Sequence, residues 1–262
     1  MLRAFGISDT GRVRPSNEDC FAIDDRLALC IVADGMGGHN AGEVASRMTV
    51  DAVSEFVQQW STVESADAPD PDLDKTWPFG YDAHLSKDGN LLRTAIQIAN
   101  VQILEASSHS EEYAGMGTTI VAARVNADRL TVAHVGDSRL YLRTAKGLHP
   151  LTRDDSWLAA VLSQNPDTDP AAFRQHPMRN ALTAVVGAMP RLDVHVAEVP
   201  LSPGDVVLMS TDGVHGVLDD KELESLLHGA NLEQMARRIV LAAMDAGSTD
   251  NCTAIVARYE QG

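Results

Sequence analysis

The chain has 262 residues, of which 44% are hydrophobic and 5% aromatic, and a formal net charge of −16 from 37 acidic and 21 basic residues. This length fits one large domain or two small ones, and its aliphatic side chains suffice for a core. The acidic balance argues against a nucleic-acid partner, because phosphate backbones are bound by clustered Lys and Arg.

The cysteines and the N-terminus indicate the compartment. Cys20, Cys30 and Cys252 form no close pair, so they predict neither a disulfide framework nor a zinc site. No stretch approaches the roughly 20 apolar residues of a membrane span, and the N-terminus lacks the apolar segment of a secretory signal. We therefore expect a cytoplasmic protein with reduced thiols and no membrane contact.

The first third of the chain predicts three strands, a helix and an insertion. Apolar runs predict strands over Phe5–Thr10, Phe21–Ile23 and Leu27–Ala33. A stripe of apolar residues at helical spacing predicts a helix over Ala41–Trp60. The next segment, Ser61–Asn90, is rich in Asp, Pro and Ser, and we interpret it as a surface insertion.

The middle of the chain predicts a helix, an antiparallel meander and a flap. Helical spacing recurs over Leu92–Leu104, and the meander then comprises Thr118–Val125, a turn at Asn126–Arg129, Leu130–Val135 and Arg139–Arg143. The segment Thr152–Gly187 combines two short helical patterns with a polar turn that contains proline. Because it separates two blocks of strands, we interpret it as a flap over a site.

The last part predicts strands over Val194–Val199, Val206–Ser210 and Cys252–Tyr259, and a helix over Leu232–Met244. Strands in runs and helices in separate blocks favour an α+β protein over a doubly wound parallel sheet. About ten strands exceed one ordinary sheet. We therefore expect two packed antiparallel sheets with helices outside, forming a single domain over residues 1–262.

Four acidic clusters, each at the edge of an apolar run, indicate a metal site. They are Asn17-Glu18-Asp19, Asp34-Gly35-Met36-Gly37-Gly38, Asp212-Gly213 and Asp250-Asn251. A carboxylate at a strand end, beside glycines that permit close backbone approach, can hold a hard cation. Ligands without His or Cys favour Mg²⁺ or Mn²⁺ over Zn²⁺. Each cluster alone is more typical of a turn, whereas four clusters together favour two ions and phosphoryl hydrolysis.

The order of the motifs resembles one family. The run from Ser8 to Asp19 (S-D-T-G-R-V-R-P-S-N-E-D) and Val32-Ala-Asp-Gly-Met-Gly-Gly38 are similar to the opening motifs of bacterial PP2C-type (PPM) Ser/Thr protein phosphatases. The matching motifs that follow are Gly115-Met-Gly-Thr-Thr119, His134-Val-Gly-Asp-Ser-Arg139, Ser210-Thr-Asp-Gly213 and Asp250-Asn251. The resemblance covers about Phe5 to Tyr259 and implies a four-layer αββα sandwich with two Mn²⁺ or Mg²⁺ ions at one end.

The resemblance also implies roles for individual residues. Asp34 matches the carboxylate that bridges both ions, and Asp212 and Asp250 match further ligands of the first ion. Glu18, Asp19 and the Gly35 carbonyl match the second ion's environment. Arg14 matches the arginine that holds the substrate phosphate, a task that suits a guanidinium. Asp137, Thr118 and Thr119 match structural residues beside the site.

Two positions depart from the family pattern. Animal relatives carry a histidine after the Asp-Gly pair, where this chain has Met36, and His39 is then our candidate for proton transfer or substrate contact. Many bacterial members have an aspartate before Met-Gly-Thr-Thr that helps to bind a third ion. This chain has Gly115 at that position, so a third ion either does not bind or is held by Asp212 with other oxygens.

The predicted function is hydrolysis of phosphoserine and phosphothreonine by a hydroxide that bridges two Mn²⁺ or Mg²⁺ ions. The expected partners are phosphorylated proteins, such as Ser/Thr kinases or their substrates, and the expected state is a monomer. The alternative is a catalytically silent metal-binding scaffold that recognises a phosphoprotein, which would have lost ligand carboxylates. A third hypothesis is a two-metal nuclease, but this sequence lacks the clustered basic residues that bind nucleic acid.

Overall fold

The strands form two antiparallel sheets in the computed structural model, which describes residues 1–38, 41–64, 77–165, 167–173 and 176–260. The strands are β1 (Leu2–Asp9), β2 (Asp19–Asp24), β3 (Leu29–Met36), β4 (Gly117–Thr118), β5 (Ile120–Asn126), β6 (Arg129–Val135), β7 (Arg139–Thr144), β8 (Gly147–Pro150), β9 (His195–Pro200), β10 (Val206–Ser210) and β11 (Cys252–Tyr259). The first sheet has the order β1-β11-β10-β7-β8. The second has the order β2-β3-β5-β6-β9, with β4 paired to β3.

The helices lie outside the two sheets. They are α1 (Ala41–Glu64), α2 (Lys87–His109), α3 (Trp157–Gln164), α4 (Asp212–His215), α5 (Asp220–Leu226) and α6 (Leu232–Asp245), with 3₁₀ turns at Glu111–Tyr113 and Pro170–Phe173. Helices α1 and α2 pack on the second sheet and α6 on the first, whereas α3 belongs to the segment between β8 and β9. No helix among the described residues combines the length and apolar character needed to cross a bilayer.

Strand β11 shows why the layers stack in this way. Its side chains alternate between faces, as strand geometry requires. Ala254 and Val256 pack toward α6, whereas Ile255 and Ala257 pack into the core between the two sheets. Because both faces of this strand are buried, its sequence is continuously apolar instead of alternating. The predicted four-layer αββα sandwich is therefore confirmed.

The predicted strands are present with shifted ends, except that Thr118–Val125 is divided between β4 and β5, and the hairpin strand β8 is additional. Strand β8 pairs with β7 across a turn at Gly147, whose φ of +110° favours glycine. The three predicted helices are also present. The second begins at Lys87 instead of Leu92, because the Ser86 hydroxyl accepts a hydrogen bond from the Gly89 N–H and caps the helix.

The segment that we predicted as a surface insertion, Ser61–Asn90, is ordered secondary structure at both ends. Residues 61–64 complete α1, and residues 87–90 begin α2. Trp77 is buried, and its ring lies 4.5 Å from that of Trp60 and 5.7 Å from that of Tyr81. These aromatic contacts anchor the segment on the core. Residues 65–76 lie outside the described residues.

Candidate metal centre

Strand ends from both sheets meet at one end of the sandwich. The antiparallel pairing places the start of β11, the end of β10 and the end of β3 there, together with the loop before β2. A cavity of about 520 Å³ opens at this end. Its lining includes a guanidinium and five carboxylates, which belong to Arg14, Glu18, Asp34, Asp137, Asp212 and Asp250.

Asp34 and Gly35 lie near the end of β3, which the backbone of neighbouring elements holds tightly. The Asp34 N–H donates to Thr119 Oγ1 at 3.1 Å, and Thr118 Oγ1 donates to the Asp34 carbonyl at 2.8 Å. A Cβ on Gly35 would lie 2.1 Å from the Gly42 carbonyl oxygen. This close approach therefore requires glycine at position 35, and both threonines support Asp34 by hydrogen bonds.

Asp19 is buried and pairs with Asp34 across β2 and β3, but it is not among the residues that line the cavity. Its Oδ2 accepts hydrogen bonds from Thr211 Oγ1 at 2.9 Å and Thr253 Oγ1 at 2.6 Å. Its Oδ1 is buried without a hydrogen-bond partner. Glu18 precedes it, and the Glu18 carbonyl accepts from Gly35 N–H at 3.1 Å.

Asn251 fixes the loop that carries Arg14. Its Oδ1 accepts from the Glu18 N–H at 2.9 Å, and its Nδ2 donates to the carbonyls of Thr10 and Ser16, each at 2.9 Å. Arg14 Nη2 then lies 2.6 Å from Asp250 Oδ2, and 49% of the Arg14 side chain is exposed. The only cation among the six groups therefore stands at the rim of the cavity, facing solvent.

The carboxylates repel one another because they are buried together. Burial, and then the charges of Asp19 and Asp212, raise the pKa of the Asp34 carboxyl well above its ordinary value. Burial also raises the pKa of Asp19 to about 7. For Asp212, burial and then the charge of Asp250 raise the pKa. Such a cluster disfavours its own ionised state, so a cation of high charge would stabilise it.

Two features show that the residues fit divalent cations. Asp19 Oδ1 and Asp212 Oδ1 are both buried without a hydrogen-bond partner, although buried carboxylate oxygens are normally paired. All the ligand candidates are oxygens, as Mg²⁺ and Mn²⁺ prefer. Among the described residues, no group of three or more His, Cys, Asp or Glu side chains is already in an arrangement that could hold a metal ion. The candidate ligands other than Asp19 line an open cavity, and Asp250 accepts a hydrogen bond from Arg14 at its rim.

Asp137 belongs to the cavity, although the sequence indicated only structural support. It follows Gly136 between β6 and β7, and its pKa is raised to about 7 by burial and then by the charge of Asp212. The available signal was its position beside a glycine at a strand end, which it shares with Asp34 and Asp212. His39, the other catalytic candidate, lies outside the described residues.

Part of the predicted flap, residues 152–187, forms one wall of the cavity. Asn180, Ala181, Leu182 and Val185 line it. The wall is tied to the start of α3, because Trp157 N–H donates to the Ala181 carbonyl at 2.8 Å. It is also tied to β4, because Thr118 and Val186 exchange backbone hydrogen bonds of 3.0 and 2.9 Å.

Comparison with known proteins identifies relatives along almost the whole chain. The family model for protein phosphatase 2C matches residues 12–250. A serine/threonine phosphatase (stp) of Listeria welshimeri is 32% identical over 253 residues, which cover 95% of this chain and 92% of that protein. The crystal structure of the Mycobacterium tuberculosis serine/threonine phosphatase PstP/Ppp superposes with a TM-score of 0.81 at 29% identity, covering 99% of each chain. A structure of the PstP catalytic domain in complex with two manganese ions superposes with a TM-score of 0.78 at 28% identity, also covering 99% of each chain.

Proposed function

Because the chain belongs to the protein phosphatase 2C family, we propose that its acidic cavity is the active site of a Ser/Thr protein phosphatase. The chain is a metal-dependent phosphoric monoester hydrolase that acts on phosphoserine and phosphothreonine and uses two Mn²⁺ or Mg²⁺ ions. The observation that supports this site best is the meeting of four acidic clusters at one cavity. Within these clusters, one carboxylate oxygen of Asp212 and one of Asp19 are buried without a hydrogen-bond partner.

The carboxylates would form two ligand sets, and Asp34 would belong to both. Asp34, Asp212 and Asp250 would hold one ion, and Glu18, Asp19 and the Gly35 carbonyl would serve the other. When bound, the two ions neutralise phosphate charge and lower the pKa of water. Asp137 adds a carboxylate beside Asp212 that could support a third ion without an acidic residue at position 115.

Arg14 would bind the substrate phosphate. Its guanidinium can donate two parallel hydrogen bonds to phosphate oxygens. In the structure it donates to Asp250 instead, at 2.6 Å. Because Asp250 cannot pair fully with Arg14 and with a cation, ligation by Asp250 leaves the guanidinium available to phosphate. The half-exposed position of Arg14 suits a group that must meet a bulky phosphoprotein.

The substrates would be phosphorylated proteins with basic residues near the phosphate, because the protein carries a net charge of −16. Ser/Thr kinases and their substrates are candidates of this kind. We further propose that the enzyme acts as a monomer in the cytoplasm.

Hydrolysis of three phosphate esters by the purified protein tests this function. With Mn²⁺ we expect release of phosphate from a phosphothreonine peptide and from p-nitrophenyl phosphate, but not from bis(p-nitrophenyl) phosphate. Asp34→Asn and Asp250→Asn should each lower kcat by at least about a hundredfold, because each removes a charged ligand of a cation that would stabilise the transition state. Asp128→Asn, an exposed aspartate in the β5–β6 turn, is the matched control and should retain activity.

The other outcomes identify the alternatives. Phosphopeptide binding without hydrolysis would indicate the silent scaffold, and efficient diester cleavage would indicate a nuclease. Full activity of Asp34→Asn would refute the assigned site while leaving the family membership intact.

A further inference from the structure

A second cavity, of about 340 Å³, lies behind the flap wall and has no part in the function described so far. Its lining includes His134, Asp155, Thr183 and His195. Ala181 and Leu182 line the catalytic cavity, and the next residue, Thr183, lines the second cavity. This short stretch of the flap therefore separates the two cavities.

Asp155 joins three parts of the molecule at this position. Its Oδ2 accepts a hydrogen bond from the Gly136 N–H at 2.9 Å, and its Oδ1 lies 2.9 Å from His195 Nε2 in β9. Its own N–H donates to the Gly136 carbonyl at 2.9 Å, and its carbonyl accepts from the Thr183 N–H at 2.8 Å. The Asp155 side chain is 14% exposed, whereas that of His195 is 47% exposed, so the carboxylate is shielded from water more than the imidazole is.

The Gly136–Asp137 turn depends on contacts of this kind. Gly136 has φ of +97°, and a Cβ there would lie 2.7 Å from Thr119 Cβ, so the turn is confined to glycine. A glycine turn has wide conformational freedom in the absence of external contacts. The Asp155 carboxylate supplies one by accepting a charge-assisted bond from the turn's N–H. The next side chain along the turn, Asp137, faces the catalytic cavity.

The neighbouring Asp154 has a different task. Its oxygens accept two parallel bonds from Arg139, Nε to Oδ1 at 2.8 Å and Nη2 to Oδ2 at 2.7 Å. This pair holds the start of β7. Of these two aspartates, only Asp155 forms a side-chain hydrogen bond with the turn. His195 Nε2 donates to the other carboxylate oxygen of Asp155 and orients it.

We propose that Asp155, oriented by His195, is a positioning residue that fixes the Gly136–Asp137 turn and thereby the Asp137 carboxylate in the catalytic cavity. The inference rests on the proposed function, in which Asp137 is the carboxylate beside Asp212 that would serve as a ligand of a third ion. A residue that holds a ligand in place typically changes metal affinity or activity by about 10- to 100-fold when it is replaced.

The test compares Asp155→Ala and Asp155→Asn with the wild type and with Asp205→Ala. Asp205 is a suitable control because it is also buried and its Oδ2 accepts a backbone N–H, that of Ser202, at 2.8 Å far from the site. The measurements are Mn²⁺ binding by calorimetry, hydrogen exchange of the Gly136 amide without metal, and kcat and KM for p-nitrophenyl phosphate.

For Asp155→Ala we expect faster exchange at Gly136, Mn²⁺ binding about tenfold weaker and a lower kcat. Asp155→Asn should be intermediate, because its amide oxygen can still accept from the Gly136 N–H. His195→Ala should shift Mn²⁺ binding in the same direction, and His195→Gln should restore part of it by donating from its side-chain amide. Asp205→Ala should lower stability and leave Mn²⁺ affinity unchanged.

If the wild type is active and the Asp155 variants keep both their Mn²⁺ affinity and the protection of the Gly136 amide, this inference is wrong, whereas the proposed function stands. If Asp155→Ala does not fold, the same two measurements on Asp155→Asn decide. A wild type that binds no Mn²⁺ and releases no phosphate would overturn the proposed function and this inference with it.

Discussion

At the residue scale, the acidic side chains occupy positions that the protein alone disfavours. Burial and mutual charge raise the pKa values of Asp19, Asp34, Asp137 and Asp212. Buried groups with raised pKa values lower the stability of the folded state at neutral pH. Such local conflicts with folding are expected at functional sites, where a ligand supplies the compensation.

The pKa of Asp137 predicts how the stability of the metal-free protein depends on pH. Its ordinary value is 3.8 and its folded value is about 7, so the folded state keeps a proton that the unfolded state loses between these values. Stability should therefore fall as pH rises from about 4 through 7, by at most about 4 kcal/mol from this group. Asp137→Asn should remove that part of the decline.

Urea unfolding at pH 5 and pH 8 in the presence of a chelator measures the effect. The variant should gain stability relative to the wild type at pH 8, and the gain should be smaller at pH 5. An equal difference between the two proteins at both pH values would contradict the raised pKa.

The sequence predicted most of the candidate site from local patterns. Asp34, Asp212 and Asp250 each follow or precede an apolar run, and the structure brings all three to one cavity. Asp137 was not predicted as part of it, because a Gly-Asp pair between two short strands is also typical of a turn. Only the pairing of β6 with β5 and of β7 with β10 shows that this turn faces the other acids.

At the element scale, the errors lie where polar residues decide the boundaries. Helix α2 begins before its apolar stripe because Asn90 is buried and its Nδ2 donates to the carbonyls of Asp82 and Ser86, at 2.9 and 3.0 Å. The spacing of apolar residues does not reveal a helix start that depends on a buried polar side chain such as Asn90. Helix α5 was likewise not predicted, although its Asp219-x-x-Glu222 pattern is a capping signal.

The capping box of α5 gives a prediction for a single element. Asp219 Oδ1 accepts from the N–H groups of Lys221 and Glu222, each at 2.9 Å. Asp219→Ala should therefore lower stability by about 1 kcal/mol and the melting temperature by roughly 2–4 °C. Mn²⁺-dependent activity should not change, because α5 lies outside the cavity lining.

Calorimetric melting beside a phosphatase assay checks this expectation. Asp220→Ala is the matched control, because this exposed neighbour lies in the first turn and the capping bonds come from Asp219. The prediction would be wrong if Asp219→Ala lost activity at a temperature where the variant is fully folded.

At the scale of the whole molecule, the sandwich brings acids together over long distances in sequence. Asp19 and Asp250 belong to the two ends of the chain, yet Thr253 in β11 donates to the Asp19 carboxylate. The runs of strands predicted two sheets with outer helices. The strand order could not be predicted in the same way, because β1 pairs with β11 and β3 with β5, and such pairings depend on contacts between distant segments.

This arrangement predicts that divalent cations stabilise the whole fold. Mn²⁺ at 100 times its Kd should add about 2.7 kcal/mol and raise the melting temperature by roughly 5–10 °C, and a chelator should reverse the change. In Asp34→Asn the increase should be largely lost, because the shared ligand has lost its charge. The prediction would be contradicted if the melting temperature of the wild type were the same with and without Mn²⁺.

The pairing of β1 with β11 has a consequence for the topology of the polypeptide. Leu2 lies opposite Tyr259, and the amino group of Met1 donates to the Glu260 carbonyl at 2.6 Å. The acidic cavity is at the opposite end of these two strands, about 26 Å away for eight residues. A short Gly/Ser linker could therefore join the two ends without approaching the cavity.

A circular permutant that is closed in this way, with new ends between the exposed Ala145 and Lys146 of the β7–β8 turn, should fold and hydrolyse phosphopeptides with Mn²⁺. Its kcat should lie close to that of the parent chain. The decrease in its melting temperature measures the stability that is lost when the β7–β8 turn is opened. A folded but inactive permutant would show that the cavity depends on the continuity of β7 with β8. An active one would make this edge of the sandwich a place where a second protein can be inserted without disturbing catalysis.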